Sequence, residues 1–202
     1  ALFALEATTL QERQQARKVT THARCQAVAA IVAAKPDEPW LIWCNLNDES
    51  QTVKSMIQGA VEVTGSDPIE TKESRMLGFT KGEHSILVSK PSICGFGMNW
   101  QHCANVVFLG LSDSYEQFYQ AIRRCWRFGQ TREVNCWIVT SDIEGAVVAN
   151  IQRKEQDAAR MAEEMVSHMH DINSQEIRGT VRTDDGYNAT VKMELPTWLE
   201  AK

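Results

Sequence analysis

Two arginines, Arg124 and Arg127, follow Gln120 within the stretch Tyr115 to Thr131, YEQFYQAIRRCWRFGQT. Tyr115, Phe118, Tyr119, Ile122, Cys125 and Trp126 recur at the spacing of one apolar helix face. At about 100° per residue, Gln120, Arg124 and Arg127 then fall within about 60° of one another on the opposite face. Ser114 can cap such a helix, with Gln117 three residues on as a capping box, and Gly129 stands where it would stop. A guanidinium is always charged and offers a planar fork of donors that matches phosphate oxygens. The competing reading is a basic face that is merely solvated.

A second group with chemical potential is Cys94 to Gln101, CGFGMNWQ. Gly95 and Gly97 let the backbone turn with positive φ and approach a phosphate closely. Amides at a helix start can bind an anion, and Asn99 and Gln101 add neutral donors and acceptors. Alone, G-x-G marks a turn; its position after an apolar strand and shortly before Gln120 gives it weight.

Read together, these residues resemble a known family. Gln120, Ala121, Arg124, Arg127, Gly129 and Gln130 follow the order Gln-Ala-x-x-Arg-x-x-Arg-x-Gly-Gln. That order is similar to motif VI of the superfamily-two helicases, in the variant of the Swi/Snf-like DNA translocases of bacterial or phage type. Gly95 to Gln101 resembles motif V. The strand and loop up to Asn47 look like motif IV, and the order Gly65, Arg75, Phe79 matches a further stretch, as do Ile143-Glu144 and Lys154. The chain departs from the family pattern at Arg123, where an acid is usual, and at Trp126, where histidine is usual. It departs again at Cys94, usually glycine, and at Phe96, usually acidic.

The resemblance implies the second of two RecA-like domains, facing ATP held by the first. It assigns catalysis to Arg124 and Arg127 as arginine fingers and contact with ATP to Gln120, Gly95, Gly97 and Asn99. Contact with nucleic acid falls to Gln101, Trp100 and Asn47. The implied cofactors are ATP and Mg2+, held mainly by a missing N-terminal domain that also supplies the phosphate loop; no residue of this chain is assigned to a metal. The implied partners are DNA, double-stranded, and that N-terminal RecA-like domain. An alternative is a stand-alone nucleic-acid-binding or regulatory module that has kept the fold without ATPase chemistry.

The elements that must position these residues alternate. Thr9 with Glu12 opens a helix from Leu10 to Ala34, which Thr20 and Thr21 could break in two. Val28, Ile31 and Val32 give it an apolar face, while Arg13, Arg17, Lys18 and Arg24 read as a solvated one. Trp40 to Cys44, WLIWC, is a short continuous apolar run, the mark of a strand buried on both faces. A helix is expected from Glu49 to Ala60, with Val53, Met56, Ile57 and Ala60 inward. Asp48 and Glu49 after a strand imitate a magnesium-holding acidic pair, but no G-x-x-x-x-G-K-[ST] loop occurs in these 202 residues to partner them. Strands at Val61 to Thr64, Ser85 to Ser89, Asn105 to Leu109 and Val134 to Thr140 complete the set, with a helix from Glu70 to Phe79 between the first two.

Strand and helix in alternation predict an α/β fold: a parallel sheet of five or more strands with helices on both faces. By resemblance this is the RecA-like three-layer sandwich. Asp142 can cap a long helix to Met169 with Ile143, Val147, Ile151, Ala158, Met161 and Met165 as its apolar stripe. The expected organisation is a leading helix over 1–37, the helicase-like domain over 38–170 and an extension or tail over 171–202. Within that tail, TVRTDDGYNATVKM could form a hairpin around Asp185-Gly186, and Pro196 to Leu199 could dock.

A net charge of −5 gives no global attraction to nucleic acid, so any such site is a local patch. No apolar run approaches the ~18 residues of a membrane span, and the N-terminus lacks the features of a secretory signal. Six cysteines without a Cys-x-x-Cys pair argue against zinc and for a reduced, cytoplasmic setting, in a bacterial or phage-infected cell if the resemblance holds. His102-Cys103 and His168-x-His170 lack complementary ligands nearby in sequence. The absence of an initial methionine suggests a piece of something longer.

Overall fold

The computed structural model describes residues 10–94, 97–141 and 145–179. They fall in two compact units, 1–156 and 157–202. The first is built on a five-stranded sheet in the order β2-β3-β1-β4-β5. Its strands are β1 (Trp40–Cys44), β2 (Ala60–Glu62), β3 (Ile86–Ser89), β4 (Asn105–Leu109) and β5 (Asn135–Val139). Every pairing is parallel, with β1 in register from Trp40 opposite Ile86 and Asn105. The helices are α1 (Leu10–Ala33), α2 (Asn47–Met56), α3 (Ile69–Thr80), α4 (Pro91–Cys94), α5 (Tyr115–Ile122) and α6 (Gly145–Gly179).

Successive strand side chains point to opposite faces, and that alternation divides the core. Trp40, Ile42 and Cys44 of β1 face Cys25, Val28 and Val32 of α1 and Val53 of α2. Leu41 and Trp43 face the other way, toward Phe79 of α3, Ala121 of α5 and Val147 and Ile151 of α6. A parallel sheet with helices on both faces, as expected from the alternation of elements, is therefore what forms. All five residues of β1 and of β4 are buried, as the continuous apolar runs require.

Several local expectations need correction. Helix α1 passes through Thr20 and Thr21 without a break, and Thr20 Oγ1 accepts a hydrogen bond from Arg24 Nε at 3.1 Å. Arg24 is not solvated: it is 3% exposed and pairs with the wholly buried Glu49, Arg24 Nη2 to Glu49 Oε1 being 2.8 Å. Glu49 Oε2 also accepts from the amides of Asn45 and Leu46, both at 2.9 Å, which satisfies two backbone donors at the start of α2. Gly110, at φ +79°, lies against this pair; a Cβ there would stand 3.2 Å from Arg24 Nη1.

Helix α2 ends at Met56, so Ala60 opens β2 instead of closing the helix. Helix α5 ends at Ile122; the Arg123 amide still reaches four residues back to Tyr119, but those of Arg124 and Cys125 reach only three, to Ala121 and Ile122. The expected apolar face loses its last member there: Trp126 is 53% exposed. In α6, Val147 and Ile151 are buried, whereas Met161 and Met165 of the second unit are exposed. The expected cap of that helix at Asp142, the first member of its stripe at Ile143, the Ile143-Glu144 match, the expected hairpin and the Pro196 to Leu199 segment lie outside the described residues.

Candidate functional site

Ser114 caps helix α5, its Oγ accepting from the Gln117 amide at 3.3 Å as expected, but the expected capping box does not close: Gln117 Oε1 accepts instead from Ser112 Oγ at 3.4 Å. The helix sends Gln120 and then the tightened turn with Arg123, Arg124 and Arg127 toward the loop before β4. Arg124 does not project into solvent. It is 8% exposed, and it donates from Nη1 to the Met98 carbonyl at 3.0 Å and from Nε to the Gln120 carbonyl at 3.0 Å. Its Nη2 lies 3.3 Å from Gln120 Oε1, and its own carbonyl accepts from the Trp100 amide at 2.8 Å. One residue thus stitches the Gly97 to Gln101 loop to the end of α5 from both sides.

Trp100, expected to meet nucleic acid, is wholly buried. Its Nε1 donates to Thr80 Oγ1 at 3.0 Å, and its ring packs edge-on against Phe79 at 5.5 Å between centroids. A ring with no exposed surface cannot stack on a base, so that assignment is withdrawn. Gln101 donates its side-chain amide to the Phe128 carbonyl, while its backbone carbonyl accepts from Gln130 Nε2 at 2.8 Å. Gly129 closes the turn at φ +93°, and a Cβ there would lie 3.5 Å from Gln101 Nε2. Gly97 is exposed at φ +85° with open space around it, and Asn99 beside it is exposed. Gly95 lies outside the described residues. Asn47 is exposed at the start of α2, away from the Gly97 loop in sequence but on the same sheet end as Gly110.

Arg127 is exposed. With Tyr119, Gln120, Arg123 and Arg124 it lines a recess of about 190 Å³ that contains no carboxylate. Burial, then the neighbouring guanidinium groups of Arg127 and Arg123, hold the Arg124 pKa below its ordinary value. Among the described residues neither Arg123 nor Arg127 forms an ion pair. The lining of this recess is therefore positively charged and holds no acid of its own to neutralise it.

A second recess, about 120 Å³, opens at the C-terminal ends of β1, β3 and β4, and its lining includes Asn45, Lys90, Ser92, Ser112 and Gln117. Ligands of open parallel sheets bind at such strand ends. Lys90 and Ser92 were not singled out from sequence; a lysine placed directly after a buried apolar strand was the available signal. No group of three or more His, Cys, Asp or Glu gathers to hold a metal among the described residues, and none of their helices is long and apolar enough to cross a membrane.

Comparison with known proteins gives these positions a family. Residues 23–129 match the model described as helicase conserved C-terminal domain. Among solved structures, the C-terminal part of the Fun30 ATPase domain is similar at a TM-score of 0.56 and 21% identity, over 63% of this chain and 44% of that one. The C-terminal domain of the DEAD-box protein Dbp5 gives 0.57 and 14%, over 66% and 79%. A DEAD box protein from the hyperthermophile Methanococcus jannaschii gives 0.58 and 17%, over 66% and 37%. This chain therefore spans less than half of the first and third of those chains, and at these identities the likeness is one of fold. No curated protein sequence matches.

Proposed function

The chain belongs to the helicase conserved C-terminal domain family, and from that premise we propose that it is the second RecA-like domain of a Swi/Snf-like, ATP-dependent DNA translocase. The observation that carries this reading is the recess of Arg123, Arg124 and Arg127, free of carboxylates and set beside the Gly97 to Gln101 loop. Arg127 is the group exposed to the γ-phosphoryl of ATP bound by a partner domain, where its fork neutralises charge that develops in transfer. Arg124 is a positioning residue. It holds the loop against α5, so that Gly97, Asn99 and Gln120 keep one geometry relative to Arg127.

Mg2+ would enter with the nucleotide from the other domain, since the described residues gather no acidic cluster for it. The nucleic acid would lie across the strand ends, gripped at phosphates by Lys90, Ser92, Asn45 and Asn47. Such contact is local and sequence-independent, in keeping with a chain whose net charge is −5. Closing and opening of the cleft between two domains around ATP would then move the duplex.

Duplex binding by this chain, titrated by fluorescence anisotropy across a salt series, tests the reading. Affinity is expected to be weak, indifferent to base sequence and steeply salt-dependent. Lys90→Ala is expected to reduce the log–log salt slope by about one. Strong dependence on base sequence with little on salt would sink it. In the same samples steady-state ATP turnover is expected to be absent; turnover abolished by Arg127→Ala would reveal a complete site within this chain.

A further inference from the structure

The two positions at which the motif VI stretch departs from its family pattern, Arg123 and Trp126, stand together on the surface. The Arg123 guanidinium carbon is 5.8 Å from the centre of the Tyr119 ring and 5.7 Å from that of Trp126. Both are within cation–π range, so the indole is braced on one side. Yet Trp126 remains 53% exposed, an unusual place for so large a ring. Beside it lies a recess of about 330 Å³, walled by Ile122, Trp126, Arg127, Gln130, Arg132 and Glu133 among others. That volume is within the range of small-molecule sites.

Arg127 lines this recess and also the arginine recess. It is therefore a shared wall between a cationic compartment and one with an aromatic side. Gln130 offers little to a ligand, since its Nε2 is held by the carbonyls of Gln101 and Cys125 and its Oε1 by the Arg132 amide. Glu133 also lines the larger recess, and among the described residues its carboxylate forms no ion pair. Glu133 offsets one of the two arginines that line the larger recess, Arg127 and Arg132, whereas no acid offsets the three that line the arginine recess, so the phosphates are directed to the arginine side and the uncharged part of a ligand to the indole side.

We propose that Trp126, braced by Arg123, is a stacking platform for the base of the nucleotide whose phosphates meet Arg127. The proposal rests on the reading of Arg127 as the phosphate-facing residue. It adds a site on this domain for the part of ATP that the arginines do not touch. Stacking of a base on an aromatic side chain needs an exposed π-face and tolerates any base, and that is what Trp126 presents.

The test is a calorimetric titration of the 202-residue chain at low salt with ATP and, separately, with inorganic tripolyphosphate. ATP is expected to bind about 10-fold more tightly than tripolyphosphate, the scale of one base–aromatic stack. Trp126→Ala is expected to abolish that ratio while leaving tripolyphosphate affinity and the melting temperature unchanged, and Trp126→Phe to keep most of it. Arg127→Ala is expected to weaken both ligands alike. Equal affinities in the parent chain, or a ratio that survives Trp126→Ala, would overturn the platform and leave the arginine reading standing. If tripolyphosphate binding is indifferent to Arg127→Ala, the arginine reading fails and the platform with it.

Discussion

Two regions of this molecule are organised around arginine, and they treat its charge in opposite ways. At one, Arg24 is buried against the carboxylate of Glu49, itself wholly buried, beneath the close approach of Gly110. At the other, Arg123, Arg124 and Arg127 converge with no acid among the residues that line their recess. The first region is electrically complete. Its Glu49 also accepts two amides at the start of α2, so the ion pair fixes where that helix leaves β1. The second is not neutralised by its own lining, and after burial the neighbouring Arg127 and Arg123 guanidinium groups hold the Arg124 pKa below its ordinary value. Neutralisation within the chain serves folding; charge left unneutralised at the surface is what the proposed contact with phosphate would use.

The sharpest break in this contrast is Arg127→Ala in a protein that contains both RecA-like domains. Turnover is expected to fall by about 10³-fold or more, the scale of an arginine finger, with the melting temperature unchanged. Arg127→Lys is not expected to rescue, because lysine keeps the charge and loses the fork. Normal turnover in a folded Arg127→Ala protein would mean that the exposed arginine has no part in the chemistry.

At the other region the effect should appear in stability. Glu49→Ala or Arg24→Ala is expected to cost about 3–5 kcal/mol in urea unfolding, because each leaves a buried charge without its partner. The double variant Arg24→Met with Glu49→Gln is expected to recover more than half of that loss, since no charge is then buried and Gln keeps a carbonyl acceptor for the Asn45 and Leu46 amides. Losses that simply add in the double variant would show that the pair is not the unit.

Arg124 lies between these extremes. Arg124→Ala removes hydrogen bonds to the carbonyls of Met98 and Gln120. A loss of about 2–3 kcal/mol in stability is expected, together with reduced turnover. A large loss of turnover at unchanged stability would make it a second finger rather than a brace. The smallest effect belongs to Arg123→Ala, whose cation–π contacts are exposed: ATP turnover at saturating nucleotide is expected to change only a few-fold. If Arg123→Ala proves the most damaging of the three, the assignment of roles on this turn is wrong.

The sequence by itself determined the layers. Continuous apolar runs at Trp40–Cys44 and Asn105–Leu109 became the central strand β1 and its neighbour β4 with all their residues buried, because a strand covered on both faces has no position left for water. The Ser114 cap was equally legible, since capping is a local matter; Gly129, expected to stop the helix, instead takes its positive φ in a turn seven residues beyond the end of α5 at Ile122. What only the tertiary structure decided was which of several similar residues goes inside. Lys18 and Arg24 stand on one helix, yet Arg24 alone meets Glu49, a partner 25 positions away that no periodicity reveals. Trp100 and Trp126 exchanged their expected places, one buried on Phe79 and the other on the surface. The projection that set Arg124 beside Arg127 assumed an unbroken helix, whereas α5 ends at Ile122 and its last turn tightens. Beyond that point the angle per residue is no longer about 100°. Contact with the Met98 loop then draws Arg124 inward and leaves Arg127 to the solvent.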